Sequence, residues 1–210
     1  MGNTRRLRGP GFGLALLAAG MAEGQSTGTT ELIDEDLSRW TVESTSAGNF
    51  RMVDGVLEVA GPEGWLRSAE PYADFELVAE FRFMSEDADS GIFVRALGDS
   101  EFARGWPNQS YQVQLRNPLG DSPFPPIGGI FRHGMASGET DYDEALARES
   151  SLPTGEWQTL TVRVERDGLV VELNGAVITR AAAVANETGF IGIQGETGAL
   201  EFRSLRLRRL

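Results

Sequence analysis

The sequence contains no cysteine and no lysine, and it has a single histidine, His133, among 210 residues. Without cysteine the chain cannot carry a disulfide, a thiol nucleophile, a thiolate zinc site or a lipid-anchored N-terminal cysteine. One histidine is too few for a metal centre built from several histidines. These absences remove thiol chemistry and most zinc chemistry from consideration.

Positive charge is also scarce. The chain has 19 basic residues, all arginines, against 31 acidic residues, and its formal net charge is -12. Nucleic acids and anionic lipids are bound through basic surfaces. We therefore expect no nucleic-acid partner, whereas a neutral ligand such as a sugar is compatible with this charge.

Long apolar runs are nearly absent, and the exception lies close to the N-terminus. Residues 11–22 are apolar or small and follow three arginines, Arg5, Arg6 and Arg8. A basic start, a short apolar stretch and small residues at its end are typical of a secretory signal peptide. The run is too short to span a bilayer comfortably. We predict a signal peptide at residues 1–22; the alternatives are a disordered arm or a short membrane anchor.

The remaining chain is predicted to be one domain. Residues 23–31 are rich in glycine, serine and threonine, which is typical of a flexible leader. Residues 32–210 have a suitable length for a single all-β domain. After signal cleavage we expect no membrane insertion and a periplasmic or secreted location.

Three runs in the middle of the chain, 75–83, 89–96 and 111–116, alternate between apolar and other residues. Successive side chains of a strand point to opposite faces, so these runs predict three strands that share a buried apolar face. About a dozen short strands are predicted in all, joined by turns such as Asp54-Gly55 and Asn174-Gly175. This pattern predicts an all-β sandwich of two sheets, with a barrel as the alternative.

The second face of the middle strands is the candidate functional surface. It carries amides and guanidinium groups, which suit vicinal hydroxyls because each offers paired donors or acceptors. Trp106, in a Gly-Trp-Pro loop, is predicted either to stack on a sugar ring or to fasten its loop. The ordinary alternative is a solvent-facing side of a sheet. The predicted substrate-binding residues are Arg95, Gln112, Gln114, Gln194, Arg116 and Trp106.

Seven short motifs occur in an order that resembles a known family. They are Asp74-Phe75-Glu76-Leu77, residues 89–95, Tyr111-Gln112-Val113-Gln114, Gly155-Glu156-Trp157, Leu173-Asn174-Gly175, Ile191-Gly192-Ile193-Gln194 and residues 201–206. Together they resemble the bacterial 3-keto-disaccharide hydrolase domain family over nearly the whole chain from residue 32. The resemblance implies a concanavalin A-like jelly-roll sandwich of two antiparallel sheets. It also implies an exported protein that cleaves 3-keto-glycosides as a hydrolase or through a lyase and hydratase route.

Two positions depart from the family pattern. The family usually has a glutamate where this chain has Gln112, and a histidine where it has Glu196. A neutral amide cannot act as a base, whereas Glu196 shares strand parity with Gln194 and is predicted to point into the same cleft. Glu196 is thus the candidate base and His133 its candidate partner, as an acid, a base or a lone metal ligand. The ordinary alternatives are a turn carboxylate beside Gly195 and Gly198 and a surface histidine without a role.

These departures leave two other functions open. One is a carbohydrate-binding module that has lost its catalytic groups, and the other is an interaction domain of a secreted assembly. We expect no metal and no cofactor. Asp87 and Asp89 form a partial Asp-x-Asp pattern, a weak calcium signal that lacks a terminal bidentate glutamate and is more typical of a turn.

Overall fold

The computed structural model describes residue 1 and residues 28–43, 49–98, 105–119 and 122–210. The predicted signal peptide, apart from Met1, and most of the predicted leader lie outside the described residues. Within them the chain forms fifteen strands and one helix. No helix in this part of the chain combines the length and the apolar character needed to cross a membrane.

The strands form two sheets, and the larger one contains nine strands of the described chain. They are β1 (Thr29–Glu31), β3 (Phe50–Val53), β4 (Val56–Ala60), β6 (Phe75–Phe83), β10 (Thr140–Tyr142), β11 (Gln158–Glu165), β12 (Gly168–Leu173), β13 (Ala176–Ala181) and β15 (Ala199–Arg209). Their order is β10-β13-β12-β11-β6-β15-β4-β3, and β1 pairs with β15. The only helix of the described residues, α1 (Glu144–Ser150), is capped by the Asp143 side chain and contacts β13.

The smaller sheet carries the candidate site. Its six strands are β2 (Trp40–Glu43), β5 (Gly64–Ser68), β7 (Asp89–Ala96), β8 (Ser110–Arg116), β9 (Ile130–His133) and β14 (Phe190–Gly195). The order across the sheet is β2-β5-β14-β7-β8-β9. All strand pairs in both sheets are antiparallel. The prediction of an all-β fold with two antiparallel sheets is confirmed.

The core lies between the sheets and follows the predicted alternation. In β6 every second residue from Phe75 to Phe83 is fully buried, and from the other sheet Ile92, Tyr111 and Val113 pack into the same cluster. Two predicted turns adopt the positive φ values that a tight hairpin requires. These are Asp54-Gly55, at 50° and 78°, and Asn174-Gly175, at 49° and 90°.

The folded part begins earlier than the sequence predicted. Residues 29–31, placed at the end of the flexible leader, form β1 and pair with β15. The carboxylate of Glu31 accepts hydrogen bonds from the backbone N–H of Leu205 and the hydroxyl of Ser204, both at 2.7 Å. These contacts hold the segment in the sheet, so the leader prediction is wrong for residues 29–31.

Candidate functional site

A cleft of about 250 Å³ opens on the face of the smaller sheet that points away from the core. Side chains from four neighbouring strands form its floor and walls, and loops contribute at the edges. The described residues that line it are Asp89, Trp106, Gln112, Gln114, Phe124, Phe131, His133, Gln194 and Glu196. Six of the eight predicted site residues are among them.

Strand register explains why these residues meet. Residues directly opposite each other in an antiparallel pair point to the same face. Gln112 on β8 lies opposite Phe93 on β7 and opposite Phe131 on β9, and Ser110 lies opposite His133. The alternation that buries the apolar side chains of β8 therefore places the amide of Gln112 and the imidazole of His133 on the same surface.

Three glutamine side chains form a continuous hydrogen-bonded floor. The Gln112 Nε2 donates to the Oε1 of Gln114 at 2.6 Å and to the Oε1 of Gln194 at 2.9 Å. Gln114 in turn donates from Nε2 to the carboxylate of Asp89 at 2.7 Å. Gln194 donates from Nε2 to the carboxylate of Glu196 at 3.1 Å. Gln112 is the hub of this network.

The two carboxylates determine the direction of every bond in the floor. An ionised carboxylate only accepts, so Gln114 and Gln194 must turn their NH₂ groups to it and their oxygens toward Gln112. Gln112 then donates both amide hydrogens to these oxygens, and its own Oε1 can only accept. The His133 Nε2 lies 2.7 Å from that oxygen and must be the donor. The network thus fixes His133 with a proton on Nε2.

The environment of His133 keeps the imidazole neutral. The ring is 7% exposed and is surrounded by Phe93, Trp106 and Phe131, with centroid distances of 5.8, 5.8 and 6.5 Å. Burial lowers the pKa of His133 from 6.5 to about 4, because desolvation penalises the charged form. At neutral pH His133 is therefore a neutral hydrogen-bond donor to Gln112.

Close approach of β7 to the floor depends on Gly91. A Cβ atom added there would lie 2.6 Å from both Cγ and Nε2 of Gln112. The missing side chain lets Gln112 lie across β7 and reach Gln194 on β14. Each of Gln114 and Gln194 uses one amide hydrogen in these bonds and has a second one, and both side chains line the cleft.

Arg95 does not line the cleft, and its predicted placement is wrong. The alternation breaks near the end of β7, where Arg95 has a φ of 52° and the pairing with β14 shifts between Phe190 and Gly192. The side chain is 1% exposed and forms an ion pair with Asp74 at 2.9 Å. It also donates to the backbone oxygen of Asn186. Arg95 thus fastens chain segments together away from the cleft.

Arg95→Met is expected to lower the free energy of unfolding by about 2 kcal/mol, because the partly exposed Asp74 carboxylate and the backbone oxygen of Asn186 lose a charged donor. Urea denaturation measures this effect. The matched control is Arg180→Met at an exposed position of β13, where we expect a change within about 0.5 kcal/mol. Equal losses in both variants, or a shift of the His133 NMR signals in Arg95→Met, would contradict this role.

Arg116 is the second predicted ligand contact that lies outside the lining. It is on the predicted face of β8 but is 3% exposed. Its guanidinium donates to the backbone oxygens of Phe124 and Pro125, the latter at 3.4 Å. A proline-containing segment therefore covers Arg116, and the residue holds that segment at the edge of the cleft.

Three lining residues were not predicted: Asp89, Phe124 and Phe131. Asp89 precedes Gly91 and Phe93 by two and four positions, so its strand parity indicated the same face. Phe131 could have been found from its pairing with Gln112. Phe124 lies in the proline-containing segment, and no periodic signal in the sequence locates it.

Among the described residues no cluster of three or more histidine, aspartate or glutamate side chains could hold a metal ion. Asp87 is exposed in the turn before β7, whereas Asp89 accepts a hydrogen bond from Gln114 in the cleft.

Solved structures share the fold of this chain. One from Parabacteroides distasonis, described as a "putative glycosyl hydrolase", is 19% identical with a TM-score of 0.68, covering 87% of this chain and 100% of that one. A Bacillus subtilis protein with a galectin-like fold is 12% identical with a TM-score of 0.58, covering 89% and 97%. A Bacillus subtilis carbohydrate-binding module is 9% identical with a TM-score of 0.53, covering 81% and 95%.

These likenesses establish the fold, and the predicted concanavalin A-like jelly-roll sandwich is confirmed. The chain belongs to the family of 3-keto-alpha-glucoside-1,2-lyase-like domains, whose model matches residues 28–208. A search of curated proteins found no match. Family membership supports a carbohydrate-related function.

Proposed function

We propose that this chain is an exported enzyme that cleaves 3-keto-glycosides by elimination across C1 and C2 of the oxidised sugar. The observation that carries the proposal is the carboxylate of Glu196 at the edge of a neutral floor of amides in one cleft. The description of the family as 3-keto-alpha-glucoside-1,2-lyase-like supports the substrate class.

The substrate's ketone makes the chemistry accessible to a single carboxylate. A carbonyl at C3 acidifies the hydrogen on C2, so the carboxylate of Glu196 takes that proton and the C–H electrons form an enolate. The enolate then expels the glycosidic oxygen from C1, leaving a double bond between C1 and C2. The leaving oxygen takes a proton from water. The hydroxide left by that water adds to C1, and the carboxylic acid of Glu196 returns its proton to C2, so that the net reaction is a hydrolysis.

The cleft offers the donors that this route needs. The second amide hydrogens of Gln114 and Gln194 can bind the C3 oxygen, where negative charge develops, and such preorganised donors stabilise an enolate. Glu196 follows β14 and His133 ends β9, so the two side chains lie on opposite sides of the glutamine floor.

His133 contributes as a positioning residue in this proposal. Its Nε2–H is donated to Gln112, and its pKa of about 4 keeps it neutral. It thereby fixes the hub of the floor rather than supplying a proton to the leaving oxygen. The reaction uses no cofactor, since the ketone of the substrate itself stabilises the carbanion.

A carbohydrate-binding module without catalysis is the second candidate. The observation that favours it is the hub of the floor, where the side chain of Gln112 is an amide, while the resemblance to the family implies a glutamate at this position. An amide at this position can bind a hydroxyl group but cannot take a proton. The likeness in fold to the Bacillus subtilis carbohydrate-binding module supports the same reading.

The deciding experiment incubates the purified chain, without residues 1–22, with a 3-keto-disaccharide. Release of the free sugar and incorporation of deuterium at C2 in D₂O are followed by NMR. The unoxidised disaccharide is the control, and we expect no cleavage of it because its C2 hydrogen is not acidic. Saturable binding of the keto-disaccharide without release or exchange would favour the binding module.

Export is tested separately by expressing the full chain in a Gram-negative host. We expect the mature protein in the periplasm or medium, with its N-terminus close to residue 23. An uncleaved N-terminus in the cytoplasm would contradict this part of the proposal.

A further inference from the structure

An exposed aromatic side chain stands at the rim of the cleft. Phe124 lines the cleft although 59% of its surface is exposed. Its ring meets Phe131 edge to face, with centroids 6.2 Å apart and an angle of 69°. The two rings form an apolar wall that continues from the floor to the solvent.

The segment that carries Phe124 is held firmly. The buried guanidinium of Arg116 donates to the backbone oxygen of Phe124, and Pro123 and Pro125 restrict the chain on either side. Farther along the segment, the hydroxyl of Tyr142 donates to Ile127 O at 3.1 Å. An exposed ring on a preorganised segment loses little conformational entropy when a ligand binds.

The size of the cleft determines which part of a ligand reaches Phe124. A volume of about 250 Å³ is below the roughly 300–1,000 Å³ typical of pockets that enclose a drug-sized ligand. The floor therefore holds one sugar ring, and a second ring linked to it must lie at the rim. The exposed face of Phe124 is the apolar surface at that rim.

We infer that Phe124 and Phe131 form an outer subsite for the ring on the leaving-group side of the glycosidic bond. The ligand class is a six-membered ring that presents an apolar face, which is either a second pyranose or an aryl group. This inference rests on the proposed function, and it assigns the recognition of the leaving group to the aromatic rim. Arg116 is a positioning residue that acts through Phe124.

The experiment measures binding of three ligands to the Glu196→Gln variant, in which turnover is blocked: a 3-keto-disaccharide, phenyl 3-keto-glucoside and methyl 3-keto-glucoside. Adding Phe124→Ala is expected to weaken binding of the disaccharide about fivefold to tenfold, because a ring-stacking contact is lost. Binding of the methyl glycoside, which lacks a second ring, is expected to change less than about twofold. Loss for the phenyl glycoside alone would assign the subsite to aryl groups.

Matched variants separate this role from a general effect. Leu119→Ala removes an equally exposed apolar side chain, 64% exposed, from the same segment outside the cleft lining. It should leave all three affinities unchanged, and Phe124→Trp should retain disaccharide binding. Equal weakening of the disaccharide and the methyl glycoside, or no weakening at all, overturns the outer subsite. If the Glu196→Gln variant with Phe124 intact binds none of the three ligands, the proposed function fails and the outer subsite fails with it.

Discussion

Glu196→Gln is expected to reduce cleavage of a 3-keto-disaccharide by about 10²- to 10⁴-fold, the usual contribution of a positioned general base. The substituted amide keeps the shape of the side chain, and its oxygen can still accept the hydrogen bond from Gln194. It cannot take the proton from C2. Initial rates of sugar release, measured at several substrate concentrations, provide the readout.

The prediction has a second measurable part, which concerns binding. Affinity for the keto-disaccharide should change less than about threefold, because the amide floor remains intact. Glu172→Gln, on β12 of the other sheet, is the control and should match the original chain in both rate and affinity. Undiminished cleavage in Glu196→Gln would show that Glu196 is not the base.

His133 is expected to remain neutral until the pH falls to about 4, and to carry its proton on Nε2. Because the chain has one histidine, its ¹⁵N and ¹H signals can be assigned without ambiguity. Desolvation lowers the pKa to about 4, and the hydrogen bond to Gln112 selects the tautomer. A titration midpoint near 6.5, or a proton on Nδ1, would contradict the description of the floor.

The same shift makes folding stability depend on pH. The folded-state pKa is lower than the unfolded value of 6.5, so the unfolded chain binds more protons between these two values. Stability from His133 is therefore fully present above about pH 6.5 and falls as the pH approaches 4. The integrated loss is about 3 kcal/mol.

Urea denaturation at a series of pH values between 7 and 4 measures this loss. Carboxylates also titrate in this range, so the useful quantity is the difference from a His133→Gln variant. Its amide can still donate to Gln112 but does not titrate. The curves should diverge below about pH 6.5, with the original chain losing more stability. Parallel curves would show that His133 is not buried as described.

The sequence predicted the fold and most of the floor because both follow from a strict two-residue period. Gln112, Gln114 and Gln194 alternate with core residues, and Glu196 continues the parity of β14 beyond its last residue. A hydrophobic pattern that fixes the buried face also fixes the opposite one. For these residues, no tertiary information was needed.

The failures occur where the period is interrupted or where a loop returns to the sheet. Arg95 follows the alternation in sequence, but a register shift and a positive φ turn its side chain away from the cleft. Nothing in the local pattern predicts that irregularity. Arg116 has the predicted parity, yet the proline-containing segment that carries Phe124 folds back over it. Phe124 lies in that segment, and its position depends on contacts with other strands.

The direction of hydrogen bonding in the floor restricts which side chains position 112 accepts. A glutamate at position 112 would set its oxygens against those of Gln114 and Gln194, where the amide hydrogens of Gln112 now lie at bonding distance. The amides of Gln114 and Gln194 would have to rotate to donate to this glutamate, and Asp89 and Glu196 would then lose the hydrogen bonds that these amides now donate to them. The amide at position 112 and the carboxylates of Asp89 and Glu196 are thus mutually dependent, and exchanging one of them alone disrupts the hydrogen bonds of the floor.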